Sequence, residues 1–224
     1  MVHQPAGAAS GIVFFVHGSG HGTADEFGRY KSKLASLGVA SIVIDKVMDG
    51  YGPLRRDYDR LAGDAIEALQ WIRRNYDLPV AMLGYSEGSW VAVKAAARRP
   101  DLVDRLVLCS APLVPPREQN AHRWLNGVAA HRHVMRRLRY LIGWSLLSIA
   151  DYGGVDITED LRNVSSPMLL MLGENDSTVD VPRAVSIFED IRRHDDRPVV
   201  VPRATHALPS DGAWLCRVAA FVSS

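Results

Sequence analysis

Three residues of this sequence, Ser86, Asp176 and His206, have side chains that together can break an acyl bond. A serine hydroxyl is a poor nucleophile at neutral pH and needs an imidazole to take its proton; a carboxylate then fixes the imidazole tautomer and stabilises its cation. Ser86 lies in Gly84-Tyr85-Ser86-Glu87-Gly88, a G-x-S-x-G pattern between the apolar run Val80–Leu83 and the helix-compatible stretch Trp90 to Arg99. In that strand–turn–helix context the serine is forced into a strained backbone conformation, and small residues two positions either side let strand and helix approach closely. The helix start beneath it favours developing negative charge. Asp176 stands in Gly173-Glu174-Asn175-Asp176 after the run Met168–Leu172, and His206 in Ala204-Thr205-His206-Ala207 after Val199–Val201. Each follows a predicted strand, so both loops can reach the sheet edge that presents Ser86.

Other residues compete for these roles. Asp180 precedes Pro182 at a predicted helix start and suits a cap. Glu174 comes one turn position too early, and Asp151 and Asp156 fall in an inserted stretch. The choice between Asp176 and Asp180 as the histidine's partner is one of geometry. His131, His133 and His194 neighbour arginines and read as solvated helix-face residues, whereas His17 reads as a loop-shaping residue and a second candidate base. His17 and His21 lie in a glycine-rich loop rather than on a helix, and neither H-E-x-x-H nor a cysteine cluster occurs. No metal and no cofactor are expected. Phosphate binding is disfavoured, because G-x-G-x-x-G and G-K-[ST] are both absent.

The elements that must position these residues follow from hydrophobic periodicity. Val- and Ile-rich runs at Ile12–Val16, Ala40–Ile44, Val80–Leu83 and Leu106–Cys109 alternate with amphipathic segments at 25–37, 54–76 and 87–99. This βαβα rhythm predicts an α/β fold: a mostly parallel, doubly wound sheet with helices on both faces. The runs are continuously apolar, as strands buried on both faces must be. Helix 54–76 carries the strongest pattern, with Leu54, Tyr58, Leu61, Ala65, Leu69, Ile72 and Tyr76 on one stripe. After Leu113 the rhythm stops at Pro115-Pro116 and resumes only after Pro167, with a strand at 168–172, a helix at 182–193, a strand at 198–202 and a helix at 212–222. The reading is a core of residues 1–114 and 165–224 with a helical cap insert at 115–164. Within the insert Trp124, Val128, Met135, Leu138, Ile142 and Ile149 keep helical spacing, and Gly127 and Gly143 divide it into short helices.

One further motif, His17-Gly18-Ser19-Gly20, ends the first strong strand. With it and the Ser86 pentapeptide, the sequence resembles the α/β-hydrolase superfamily, in which an H-G segment and a nucleophile elbow follow two sheet strands and the acid and base come in the order Ser, Asp, His. The resemblance implies an oxyanion hole built from the backbone N–H groups of Ser19 and Glu87. Val43-Ile44-Asp45-Lys46 and the lead Asp160-Leu161-Arg162-Asn163-Val164…Pro167 are similar to small bacterial hydrolases of the dienelactone-hydrolase and prolyl-oligopeptidase-related type. Two departures stand out. Dienelactone hydrolase uses a cysteine where this chain has Ser86. The chain also starts almost directly at the H-G strand, so the opening antiparallel strands are expected to be absent or replaced, leaving an edge that a second copy would pair as a homodimer.

Composition bounds the partners. The 224 residues include 26 Lys+Arg and 25 Asp+Glu, a formal charge of +1, so no global field attracts nucleic acid or an anionic membrane. Apolar runs such as Ile12–Val16 fall far below the roughly 20 residues of a membrane span, and no charged n-region with an apolar h-region opens the chain. A cytoplasmic protein is expected. Cys109 and Cys216 both read as core thiols rather than a disulfide framework. The expected function is serine-dependent cleavage of a small-molecule ester or thioester through an acyl-enzyme. The run His131-Arg132-His133…Arg136-Arg137-Leu138-Arg139 suits either an acyl-carrier partner, as in a thioesterase of a biosynthetic pathway, or a solvated helix face. A non-hydrolytic ligand-binding member of the fold is the alternative from another class.

Overall fold

The structure is a computed structural model that describes residues 1–18, 22–23, 25, 27–46, 57–114, 156–192, 196, 198–208 and 212–224. Ser19 and insert residues 115–155 lie outside the described residues. Seven strands form one sheet: β1 (Val2–His3), β2 (Ile12–Val16), β3 (Ala40–Val43), β4 (Val80–Tyr85), β5 (Arg105–Cys109), β6 (Met168–Gly173) and β7 (Pro198–Val201). Their order is β1-β3-β2-β4-β5-β6-β7, with β1 antiparallel and the rest parallel. The helices are α1 (Gly28–Ser36), α2 (Tyr58–Asn75), α3 (Gly88–Arg98), α4 (Thr158–Asn163), α5 (Val181–Ile191) and α6 (Leu215–Ser223).

Successive side chains of a strand point to opposite faces, and both faces are apolar here, so the sheet divides two cores. Ile12, Phe14, Val80, Met82, Leu106, Leu108, Leu170 and Leu172 face the core shared with α2, α3, α4 and α5. Val13, Phe15, Ala81, Leu83, Val107, Cys109 and Met171 face the core shared with α1 and α6. Helix α2 buries Leu61, Ala62, Ala65, Leu69 and Ile72, the stripe expected from the sequence, but it begins at Tyr58 rather than residue 54. Asp57 accounts for that start, its side chain accepting the Arg60 amide at 2.9 Å as an N-cap. In α6 the buried stripe is Leu215, Val218, Ala219 and Val222; Cys216 falls one position off it and is exposed, contrary to the expectation of two core thiols. Cys109 is fully buried, and burial pushes its thiol well above the ordinary range.

The sheet edge carries one short antiparallel strand. β1 pairs with β3 through Val2 opposite Ile42 and His3 opposite Ser41, and the Met1 ammonium donates to the Val43 carbonyl at 2.7 Å. Residues 1–3 thus line β3 along Ser41–Val43, a replacement of the opening strands that the sequence reading allowed. Among the described residues no helix is long and apolar enough to cross a membrane.

Sheet order sets the site. The chain leaves β2 for β3 on one side and reaches β4 on the other, so the order reverses between β2 and β4. In parallel sheets the loops after the two strands at such a switch point diverge and leave a crevice at their carboxyl ends. His17 and Gly18 follow β2 there, and Ser86 follows β4.

Near the opposite edge, Arg192 knits the approach to β6. Its guanidinium donates to the carbonyls of Leu161, Val164 and Ser166 at 3.1, 2.8 and 3.1 Å and to Asp196 at 2.7 Å. The two charged side chains are 4% and 7% exposed, so each depends on the other for its charge compensation. Arg192→Met, which strands the Asp196 carboxylate and three carbonyls, is expected to lower unfolding free energy by about 3–5 kcal/mol in urea titrations.

Candidate active site

The turn after β4 is fixed by close approach. Ser86 has φ 52°, in the left-handed region that a side chain adopts at a cost on the order of 1–3 kcal/mol. Its amide donates to the Cys109 carbonyl at 2.8 Å, and its own carbonyl accepts the Ser89 amide at 2.9 Å. Strand and helix pack so tightly that a Cβ on Gly84 would lie 2.6 Å from the Ser89 Cα, and one on Gly88 would strike the carbonyl oxygens of Val16 and His17. The small residues at both ends of the pentapeptide are thus required by contact. Ser86 itself is 6% exposed.

The loops after β6 and β7 bring the other two groups to this turn. The Glu174 amide donates to the Val201 carbonyl at 3.0 Å and the Asn175 amide to Ala204 at 2.7 Å, while the Glu174 carboxylate accepts the Arg203 amide at 2.7 Å. Glu174 is thereby spent in joining the two loops. His206 Nδ1 lies 2.8 Å from Asp176 Oδ2, and His206 Nε2 lies 3.0 Å from Ser86 Oγ. An ionised carboxylate only accepts, so Nδ1 carries the proton and Nε2 presents its lone pair to the serine hydroxyl. The other oxygen of Asp176 accepts the amides of Thr178 and Val179 at 2.7 and 3.0 Å, which fixes the carboxylate plane. The Asp176 side chain is fully buried, whereas that of His206 is 26% exposed.

The rivals go elsewhere. Asp180 caps α5 by accepting the Arg183 amide at 3.3 Å. Asp156 accepts the Thr158 amide at 2.8 Å, and hydrogen bonding from the Thr158 side chain, with that amide, holds its carboxyl below the usual range. His17 is 5% exposed, stacks beside Phe27 and has its Nε2 2.8 Å from the Ile44 carbonyl, turned toward β3. Lys46 adds to the same tie by donating to the Gly18 carbonyl at 2.8 Å. Asp151, His131, His133, His194 and Ser19 lie outside the described residues.

Glu87 is the residue after Ser86, immediately before α3. Its side chain is buried and accepts a short hydrogen bond from the Tyr58 hydroxyl of α2, while the Tyr58 ring packs edge-on against Trp90. The carboxylate is thereby held against α2, and the Glu87 amide stays in the turn beside Ser86. Three hydroxyls that the sequence reading did not single out also converge here. Tyr85 and Ser110 both donate to the His206 carbonyl, at 3.0 and 2.7 Å, and Tyr30 donates to the Leu208 carbonyl at 3.0 Å. Burial raises the Tyr30 phenol above its ordinary range, keeping it a donor. The one sequence signal for Tyr85 and Ser110 was their position at the carboxyl ends of two neighbouring strands.

The family profile described as Hydrolase_4: Serine aminopeptidase, S33, matches residues 7–147, which include the β2 loop and the Ser86 turn. The chain belongs to this family. Mouse monoglyceride lipase is 29% identical over 126 residues, 53% of this chain and 40% of that protein. The monkeypox virus monoglyceride lipase homolog is 28% identical over 119 residues, 50% of this chain and 41% of that protein. This chain therefore spans about two-fifths of the length of the curated relatives it matches. Proline iminopeptidase of Mycobacterium smegmatis superposes with a TM-score of 0.70 at 16% identity, covering 99% of this chain and 93% of the other. Monoacylglycerol lipase of Paleococcus ferrophilus gives 0.65 at 18%, with 100% and 97% covered. Dienelactone hydrolase of Anabaena variabilis gives 0.63 at 27%, with 99% and 87% covered. The fold of this Hydrolase_4 member is the α/β-hydrolase fold.

Because the atoms facing Gly88 are backbone oxygens of β2 and its loop, they cannot rotate away. Gly88→Ala is expected to destabilise the protein by about 1–3 kcal/mol in urea unfolding, as overpacked sites do. An unchanged midpoint would show that α3 and β2 can separate freely.

Proposed function

We propose that the protein is a serine hydrolase that cleaves a carboxylic ester of a small molecule through an acyl-enzyme intermediate. The observation that carries this reading is the continuous hydrogen-bonded chain from Asp176 through His206 to Ser86. In the first half-reaction Ser86 Oγ attacks the ester carbonyl while His206 Nε2 takes its proton, and Asp176 stabilises the imidazolium. The tetrahedral oxyanion is held by the Glu87 amide at the start of α3 and by the Ser19 amide, each donor worth about 3 kcal/mol of barrier. Collapse of the intermediate breaks the bond to the leaving oxygen, which receives the proton from His206. Water then attacks the acyl carbonyl and gives its proton to His206; collapse breaks the bond to Ser86 Oγ, which takes that proton from His206 as the carboxylic acid leaves.

Ester is preferred to amide because lipases and esterases recur among the relatives, while the family description and one structural neighbour name peptidase chemistry that the same three groups also perform. The thioester and acyl-carrier reading rests on the basic run at 131–139, outside the described residues, so the ester is the substrate class put forward. Of the insert read at 115–164, residues 115–155 are proposed as the helical cap that would shape the acyl site above this edge, since α4 at its end packs in the sheet core through Leu161.

The test is hydrolysis of a nitrophenyl acyl-ester series from acetyl to dodecanoyl. Ser86→Ala is expected to lower kcat by at least about a thousand-fold while the protein stays folded. Full activity in that variant would sink the assignment. His206→Ala should fall comparably, and near-parental turnover there would move the base to His17.

A further inference from the structure

We infer that Tyr85 and Ser110 are positioning residues that hold the base in register with the nucleophile through a shared grip on the His206 backbone carbonyl. The inference rests on the Ser86–His206–Asp176 reading above and adds to it the device that fixes the distance between two of its members.

A carbonyl oxygen has two lone pairs, and at His206 both are engaged by hydroxyls: Tyr85 Oη at 3.0 Å and Ser110 Oγ at 2.7 Å. The donors come from adjacent strands. Tyr85 ends β4 and pairs with Cys109 at the end of β5, the residue before Ser110. Tyr85 is also the covalent neighbour of Ser86. The backbone of the base is therefore tied to the same strand end that carries the nucleophile, across 121 residues of sequence. Ser110 extends the tie to the acid, since its amide donates to the Met171 carbonyl of β6 at 2.8 Å, five residues before Asp176.

The backbone of Ser110 strengthens the case. Its φ is 50°, a conformation that glycine would adopt without strain and serine adopts at a cost. What serine has and glycine lacks is the hydroxyl, which is spent on the His206 carbonyl. Around this grip, Asp176 holds the imidazole at Nδ1 and Tyr30 holds Leu208 two residues on. Hydrogen bonds at its two nitrogens orient the ring, and the Tyr85–Ser110 grip fixes the main chain from which the ring projects. The Tyr85 ring also lies 5.8 Å from the imidazole centroid, which limits tilting.

The experiment compares Tyr85→Phe, Ser110→Gly and the double variant with the parent and with Ser86→Ala. Substrate is nitrophenyl acetate, and a fluorophosphonate inactivation rate measures Ser86 reactivity independently of ester binding. Ser110→Gly relaxes the strained φ, and Tyr85→Phe keeps the ring, so both single variants are built to fold. In the double variant kcat and the inactivation rate are expected to fall together by roughly 10- to 100-fold, the scale of a misplaced reacting group. KM should stay within about two-fold and each single variant should lose less, because the remaining hydroxyl still holds the carbonyl. A lower urea midpoint with unchanged kcat and inactivation rate would overturn the inference, reducing both hydroxyls to ordinary stabilisation. Should the double variant not fold, the single variants decide in the same directions. Full activity in Ser86→Ala would instead overturn the triad itself, a distinct result.

Discussion

Ser86 keeps a left-handed backbone only because everything around it leaves no other path. Its φ of 52° is held between an amide bonded to Cys109 and a helix that starts two residues later, against a strand too close to admit a side chain at Gly84 or Gly88. Local preference favours relaxing such a turn, by on the order of 1–3 kcal/mol. Two buried cores, one on each face of the sheet, hold β4 and α3 where relaxation would cost more. The hydroxyl is the product of that constraint, since the turn lifts it above the sheet edge instead of packing it along the strand.

The remaining groups are placed relative to this turn by hydrogen bonds between loops. The β6 and β7 loops are stitched to one another through Glu174, Asn175, Arg203 and Ala204, so Asp176 and His206 are carried on one hydrogen-bonded unit. That unit is docked on the ends of β4 and β5 by Tyr85 and Ser110 and on α1 by Tyr30. On the other side, His17 and Lys46 tie the β2 loop to the end of β3. Each loop rests on a rigid strand and is bridged to its neighbour, an arrangement that supports a site needing tolerances well below an ångström.

Family and geometry give complementary information. The matched profile ends at residue 147, before Asp176 and His206 enter the chain, and it includes the β2 loop and the Ser86 turn. The histidine and aspartate of this reading stand on geometry: their loops, after β6 and β7, bring them within hydrogen-bond distance of each other and of Ser86. Fold alone does not fix the reaction, because peptidases and lipases share it among these neighbours.

By itself the sequence determined what depends on short-range pattern. Apolar runs named six of the seven strands, amphipathic stripes named the described helices other than α4, and the Gly84–Gly88 pentapeptide named the turn, because burial on one or both faces writes its period directly into neighbouring residues. The two-residue β1 carries no such period, and Cys216 looked like core until the phase of α6 turned it outward. Only the tertiary structure decided between Asp176 and Asp180. Both follow β6 in candidate positions, yet one meets His206 while the other caps α5, and four residues of loop geometry separate the outcomes. The hydroxyls of Tyr85 and Ser110 were invisible for the same reason. Their partner lies 121 and 96 residues away, and a contact at that separation is encoded in how strands order themselves in the sheet, which no local window records.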